Sequence, residues 1–146
     1  MSEQGPGAGP TVLDGLDAVR AAVGLDLGPT GWEQVTSTQV ARYTEATGEV
    51  APVDGTVPPW LLLSLTNLFL PRLLEVRGVS SGVNYGTGTV RFPGAVAVGG
   101  QVRARAEVVA ADEVRGGVQT TIRITVEAEG AEAPAVVVDS LSRWLA

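Results

Sequence analysis

Residues 57–74 read VPPWLLLSLTNLFLPRLL. The leucines at 61, 62, 63, 65, 68, 70, 73 and 74, with Phe69, fall on every side of a 3.6-residue wheel, which predicts one long central helix. A helix that is apolar all round must be buried all round, so the rest of the chain is expected to wrap it. Pro58 and Pro59 suit a first turn, where backbone N–H groups lack an intrahelical partner, and Pro71 predicts a late kink or break. Ser64, Thr66 and Asn67 interrupt the run and Arg72 closes it, so it falls short of the ~20 apolar residues of a membrane span.

The 146 residues suit one domain with a core of its own. A net charge of −6 and a pI near 4.5 disfavour polyanions, so nucleic acid is not an expected partner. MSEQGPGAGP at the start has neither a basic n-region nor an apolar h-region, and a cytoplasmic location is expected, with no membrane partner. The chain has no His, no Cys and no Lys, and its ten basic residues are all Arg. That composition excludes disulfides, thiolate nucleophiles, Schiff-base lysines, imidazole bases and His- or Cys-ligated metal sites. Neither a metal nor an organic cofactor is implied. Acid–base chemistry would rest on Asp, Glu, Tyr or a terminus, and a carboxylate base near pH 7 needs burial to raise its pKa.

Residues 1–11 form a Gly- and Pro-rich tail expected to be disordered, followed by a single domain over 12–146. T-x-x-D from Thr11, with Leu13, Leu16, Val19 and Val23 at helical spacing and Gly24 as a stop, predicts a short amphipathic helix. Trp32 to Val35 reads as a short strand. Thr36 and Gln39 predict a capping box, Val40 and Tyr43 an apolar stripe, and Gly48 a C-terminal stop for a second helix. Beyond about Val79 the pattern is strand. Val102, Ala104, Ala106 and Val108 alternate with Arg103, Arg105 and Glu107; Arg115-Gly116-Gly117 supplies a tight turn; Val118, Thr120, Ile122, Ile124, Val126 and Ala128 alternate on the next strand. A last strand is expected over Ala135 to Leu145.

A central helix followed by an antiparallel sheet with one apolar face gives an α+β class: a single hotdog domain, the sheet wrapped around the helix. Such a sheet leaves one edge and the far side of the helix open, so a dimer joined edge to edge is expected.

GVNYGTGTVRFPGAVAVGGQVRARAEV, Gly82 to Val108, resembles the MaoC-like hydratases and dehydratases of the hotdog superfamily, in particular the NodN-type branch. The match runs in order along the chain: EATGE at the end of the second helix against A-x-T-G-D, DGTVPPWLLLSL from Asp54 against G-G-T-I-A-H-G-F-L-T-L-S-L, and SLSRWL against S-x-S-R-Y-L. The resemblance implies a hotdog fold and an acyl substrate, tethered as a thioester to coenzyme A or to a carrier protein. The family's chemistry uses an Asp and a His from D-x-x-x-x-H ahead of the central helix. Here that segment is shortened, Glu49 stands where the motif opens, and there is no His. A-H-G at the helix start has become Pro58-Pro59-Trp60.

By family position Glu49 and Asp54 are the candidate carboxylates at the pocket mouth, against the alternative that Asp54 is a turn residue and Glu49 a solvated loop charge. Tyr85 is a third catalytic candidate, and Asn84 beside it a hydrogen-bonding contact for substrate; core packing is the alternative for both. Trp60, where the family keeps Gly so that a thioester carbonyl can approach, either plugs the space of the shortened loop or walls an apolar pocket. Leu61 and Ser64 on the helix complete the candidate binding set. Arg91 suits a carboxylate or phosphate, or a surface ion pair. Asn67 suggests a polar contact at a dimer seam.

Two functions follow. One is a repurposed MaoC-like enzyme that dehydrates or cyclises an acyl or polyketide-type substrate through shape and hydrogen bonds, without the Asp/His pair. The alternative is a catalytically inactive subunit that binds an acyl thioester or partners an active hydratase. A homodimer fits the first and a heterodimer with another hotdog protein the second.

Overall fold

The computed structural model describes residues 9–146. The expected tail lies outside the described residues as far as position 8, and Thr11 already belongs to a strand.

The central element is present but divided. Helices α3 (Pro59–Ser64) and α4 (Thr66–Leu73) follow one another with only Leu65 between them. The break falls at the polar interruption and not at Pro71, which sits inside α4. Its cause is local competition for carbonyl oxygens. The Ser64 hydroxyl donates to Trp60 O at 2.8 Å, the Thr66 hydroxyl to Leu63 O at 2.7 Å and the Asn67 amide to Ser64 O at 3.0 Å. Side chains that bond back to the preceding turn bend helices. Leu65 tightens accordingly: its N–H is shared between Leu61 O and Leu62 O.

Burial all round also needs correcting. Leu61, Leu62, Phe69 and Leu73 are buried, but Leu63, Leu65, Leu68 and Leu70 only partly so, and Ser64, Asn67 and Pro71 are exposed. One flank of the helix pair is therefore open. The apolar run ends as a strand, β4 (Leu74–Arg77), which pairs in parallel with β1 (Thr11–Asp14). This pairing explains the second departure from expectation. The residues read as the start of a helix are drawn into a strand by β4, and Gly15, at φ 86°, turns the chain into a helix of only five residues, α1 (Leu16–Arg20). Helical spacing is a weak local preference, and tertiary pairing overrides it.

Helix α2 (Ser37–Thr47) forms as its sequence signals require. The Thr36 N–H donates to Gln39 Oε1 at 2.8 Å, the Gln39 N–H donates back to Thr36 Oγ1 at 3.2 Å, and Gly48 closes the helix at φ 74°.

The main sheet runs β2 (Asp26–Leu27), β6 (Gln101–Val114), β7 (Gly117–Ala128), β8 (Val136–Leu145), β5 (Ser81–Arg91), with β3 (Glu33–Gln34) paired beside β2 on the outer side of β6. The β6–β7 hairpin turns on Arg115 and Gly116, as its alternation predicts. Val102, Ala104, Ala106 and Val108 of β6 and Ile122, Ile124 and Val126 of β7 all face the core with Phe69, Leu62 and Leu73. Burying one such side chain contributes about 1.5–3 kcal/mol. The antiparallel sheet around a central helix is the α+β hotdog arrangement. β5 ends the sheet, and ten of its eleven residues are exposed.

Candidate functional site

The open flank of the helix pair faces β5 and β8 across a cleft of about 380 Å³. Leu63, Ser64, Asn67 and Leu70 line it from the helices, Asn84, Tyr85 and Thr87 from β5, and Val138 and Ser140 from β8. Three sequence candidates, Ser64, Asn84 and Tyr85, thus meet in one place.

Its chemistry is neutral and polar. The Asn84 amide donates to Asn67 Oδ1 at 3.4 Å, linking strand and helix. Tyr85 sits in a bulge of β5 between Asn84 and Gly86, and the Arg143 guanidinium lies 3.5 Å from its ring centroid while donating to Gln119 Oε1 at 2.9 Å. A cation over a tyrosine ring fixes the ring's position. The lining includes no carboxylate and no guanidinium, and Tyr85 is its one titratable side chain.

The carboxylate candidates stand elsewhere, on the connection into α3. Asp54 caps its own turn: Oδ1 accepts from the Thr56 N–H at 3.1 Å and from the Thr56 hydroxyl at 2.6 Å. These bonds, the hydroxyl's above all, hold its carboxyl below the usual carboxylate range, the opposite of what a general base near pH 7 needs. Glu49 is half-buried and anchored to α2. Its Oε2 accepts a short hydrogen bond from the Tyr43 hydroxyl, and its N–H donates to Thr47 Oγ1 at 3.2 Å. The carboxylate pushes the Tyr43 phenol above its ordinary pKa of 10.0. Tyr43, read from sequence only as part of an apolar stripe, is therefore the residue that positions Glu49. The spacing Tyr43 to Glu49 around Gly48 was the available signal, because a left-handed glycine reverses the chain onto the last turn.

Trp60 is 57% exposed and leans edge-on against Phe92, with ring centroids 5.9 Å apart. It does not line the cleft. Leu61 packs into the core and does not line the cleft. Arg91 lines a separate groove with Arg123 and Asp139, whose ion pair at 2.8 Å already occupies both partners. Thr87 and Ser140 were missed. Their signal is the inward row of β8, which passes from Val136 and Val138 to Ser140 and Ser142.

Among the described residues no helix is long and apolar enough to cross a membrane.

No family model matches the chain. Individual relatives do. A 3-hydroxyacyl-thioester dehydratase Z of Mycobacterium tuberculosis is 36% identical over 140 residues, spanning 86% of this chain and 93% of the relative. Nodulation protein N of Rhizobium leguminosarum bv. viciae is 30% identical over 138 residues, spanning 83% and 85%. Among solved structures, a monoamine oxidase regulatory protein from Archaeoglobus superposes with a TM-score of 0.71 at 19% identity, over 95% of this chain and 99% of that one. The (R)-hydratase of A. caviae gives 0.62 at 21% identity over 82% and 94%, and the MaoC-like dehydratase from Rhodospirillum rubrum 0.65 at 12% over 85% and 92%. The sheet wrapped around α3 and α4, the ordered motif matches and these two relatives lead to one assignment: the chain belongs to the MaoC-like hotdog family of hydratases and dehydratases.

Proposed function

We propose that the chain holds an acyl or polyketide-type thioester in the cleft between α3–α4 and β5 and dehydrates or cyclises it without an Asp/His pair. The observation that carries this reading is the cleft itself: about 380 Å³, amides and hydroxyls on part of its wall, apolar side chains on the rest, and no carboxylate within it. Such a lining binds and orients a substrate, and orientation alone lowers a barrier by several kcal/mol. The acyl class is supported by the relative of M. tuberculosis, which is a 3-hydroxyacyl-thioester dehydratase.

For dehydration, the acyl chain stays in the cleft and the reacting carbons are set outside it, against Glu49 on the connection into α3, the carboxylate assigned to the proton. It stands where the family motif opens, and with Oε2 held by Tyr43 its Oε1 is free. In that step the C2 proton passes to Oε1, the C2–H electrons form the C2=C3 bond, and the C3 hydroxyl takes the proton back as it leaves as water. Asp54, held acidic by Thr56, is the poorer base. The site is completed in a homodimer formed along the free edge of β5.

The absence of a carboxylate from the cleft favours a second reading, an inactive subunit that binds the thioester or completes an active partner. Hydration of 2-enoyl thioesters of short, medium and long chain, by the wild type, Glu49→Gln and Asp54→Asn, separates the two. Turnover that Glu49→Gln abolishes and Asp54→Asn leaves standing supports the enzyme with Glu49 in this role. Turnover that survives both variants supports catalysis by shape and hydrogen bonds alone. No turnover at any chain length leaves the binding subunit.

A further inference from the structure

The inner face of the sheet changes chemistry along β8. Val136 and Val138 are buried against the core, whereas the next inward positions are Ser140 and Ser142. The change continues across the sheet, since Ser140 pairs with Thr87 and Ser142 with Asn84 on β5. It continues on the facing helices too, at Ser64, Thr66 and Asn67.

The polar groups on the helices are largely spent. Ser64, Thr66 and Asn67 each donate to a carbonyl oxygen of their own turn, and Asn67 Oδ1 accepts from the Asn84 amide at 3.4 Å. Asn84 keeps its carbonyl oxygen and one N–H, and the hydroxyls of Thr87 and Ser140 have no partner among the described residues. These free groups stand beside Leu63, Leu70 and Val138 in the same cleft. The wall is thus divided between hydrocarbon and unpaired hydrogen-bonding groups. A plain hydrocarbon chain laid there covers amides and hydroxyls that then lose water without replacement, which is costly, whereas an oxygen on the chain satisfies them.

Resting on the reading that this cleft receives the acyl chain, we propose that it selects chains bearing a hydroxyl or keto oxygen beyond C3 over unsubstituted chains of equal length, with Asn84 and Asn67 as the specificity-determining pair. The substrate class is then polyketide-type rather than plain fatty acyl. Asn84 meets the oxygen directly, and Asn67 holds the Asn84 amide in place through the bond at 3.4 Å.

The test is calorimetric binding of hexanoyl-, 5-hydroxyhexanoyl- and 5-oxohexanoyl-coenzyme A to the full chain, with turnover of the corresponding 2-enoyl thioesters followed separately. The expected result is binding of the two oxygenated chains at least about tenfold tighter than hexanoyl, from one satisfied polar contact. Asn84→Leu should remove that preference by weakening the oxygenated ligands and tightening hexanoyl. Asn67→Leu, on a helix instead of an edge strand, should move it in the same direction. Equal affinities, or tighter binding of hexanoyl, overturn the proposal whatever the turnover. Discrimination in binding without any turnover upholds it and retires the enzymatic reading in favour of the binding subunit. No binding of any of the three overturns both.

Discussion

The hydroxyl of Tyr43 donates a hydrogen bond to Glu49 Oε2 across the C-terminal turn of α2. Three features of the local chain produce the contact. Gly48, at φ 74°, reverses the backbone; Thr47 Oγ1 accepts the Glu49 N–H at 3.2 Å; and the Thr47 hydroxyl donates to Tyr43 O at 2.8 Å. A glutamate beyond the end of a helix would ordinarily swing in solvent, and here it is held at both its backbone and its carboxylate.

The first prediction concerns that phenol. The Glu49 carboxylate raises the Tyr43 pKa above 10.0, so the pair stabilises the fold below that pH and the contribution is lost as the pH rises through the folded-state value. Absorbance titration of phenolate should show one tyrosine ionising above pH 10, absent in Tyr43→Phe and returned toward 10 in Glu49→Gln. Under the role proposed for Glu49, Tyr43→Phe should also lower kcat by about tenfold, equivalent to ~1.4 kcal/mol, with KM unchanged. A variant with the wild-type kcat removes Tyr43 from the mechanism.

Asp54 gives a prediction of opposite sign. Its carboxyl is held below the ordinary 3.8 by the hydroxyl and N–H of Thr56, so its stabilising bonds are present at neutral pH and lost as the pH falls through the depressed value. Asp54→Asn should therefore melt below the wild type at pH 7, with the gap closing in strong acid. A gap that stays the same at low pH would show that the ionised carboxylate is not what Thr56 holds.

How much of this was legible in the sequence depends on how local each signal is. The capping box of Thr36 and Gln39, the alternation from Val102 to Val108 and the Arg115-Gly116 turn each specify their structure within a few residues, and each is found as read. The helix expected from Thr11 failed because β1 is defined by a partner sixty-three residues away, Leu74 opposite Thr11, which no local pattern reveals. The central helix breaks at Leu65 because polar side chains at 64, 66 and 67 recruit its carbonyls, whereas Pro71, the more visible signal, sits inside α4 without ending it. Of the site, the motif at 82–86 led to Asn84 and Tyr85, but the Tyr43–Glu49 contact needed the chain reversal at Gly48, and Ser140 needed the register of β8 against β5.

Gly117 tests how closely β7 lies against β8, where it pairs with Leu145. A Cβ there would lie 1.9 Å from the carbonyl oxygen of Trp144 and 3.0 Å from Leu145 Cα, both backbone atoms that cannot turn aside. Gly117→Ala should cost at least about 1–3 kcal/mol through overpacking. At roughly 2–4 °C per kcal/mol for a chain of this size, the loss is readable in a thermal melt. Gly116→Ala, at φ 84° but with open space around it, should lose stability through backbone strain alone. A Gly117 variant no less stable than the Gly116 variant would mean that β7 and β8 are less closely apposed than the register requires.

The last prediction follows from the free edge of β5. An eleven-residue strand that ends a sheet presents a row of unpaired backbone groups, and edges of this kind are normally blunted by charge, proline or a covering element. From Ser81 to Val90 this one carries no charge and no proline, and it exposes Val83 to 46% and Tyr85 to 55%. Pairing with a second copy satisfies this row of backbone groups and continues the sheet from one molecule into the other. Light scattering after size exclusion should therefore report twice the chain mass of 15.0 kDa. Val83→Glu puts like charges on both sides of such a seam and should shift the mass to that of one chain, with the melting of the monomer little changed because Val83 is not part of the core. A wild type that runs as a single chain at tens of micromolar sinks the edge-to-edge dimer, and a dimer indifferent to Val83→Glu moves the interface away from β5.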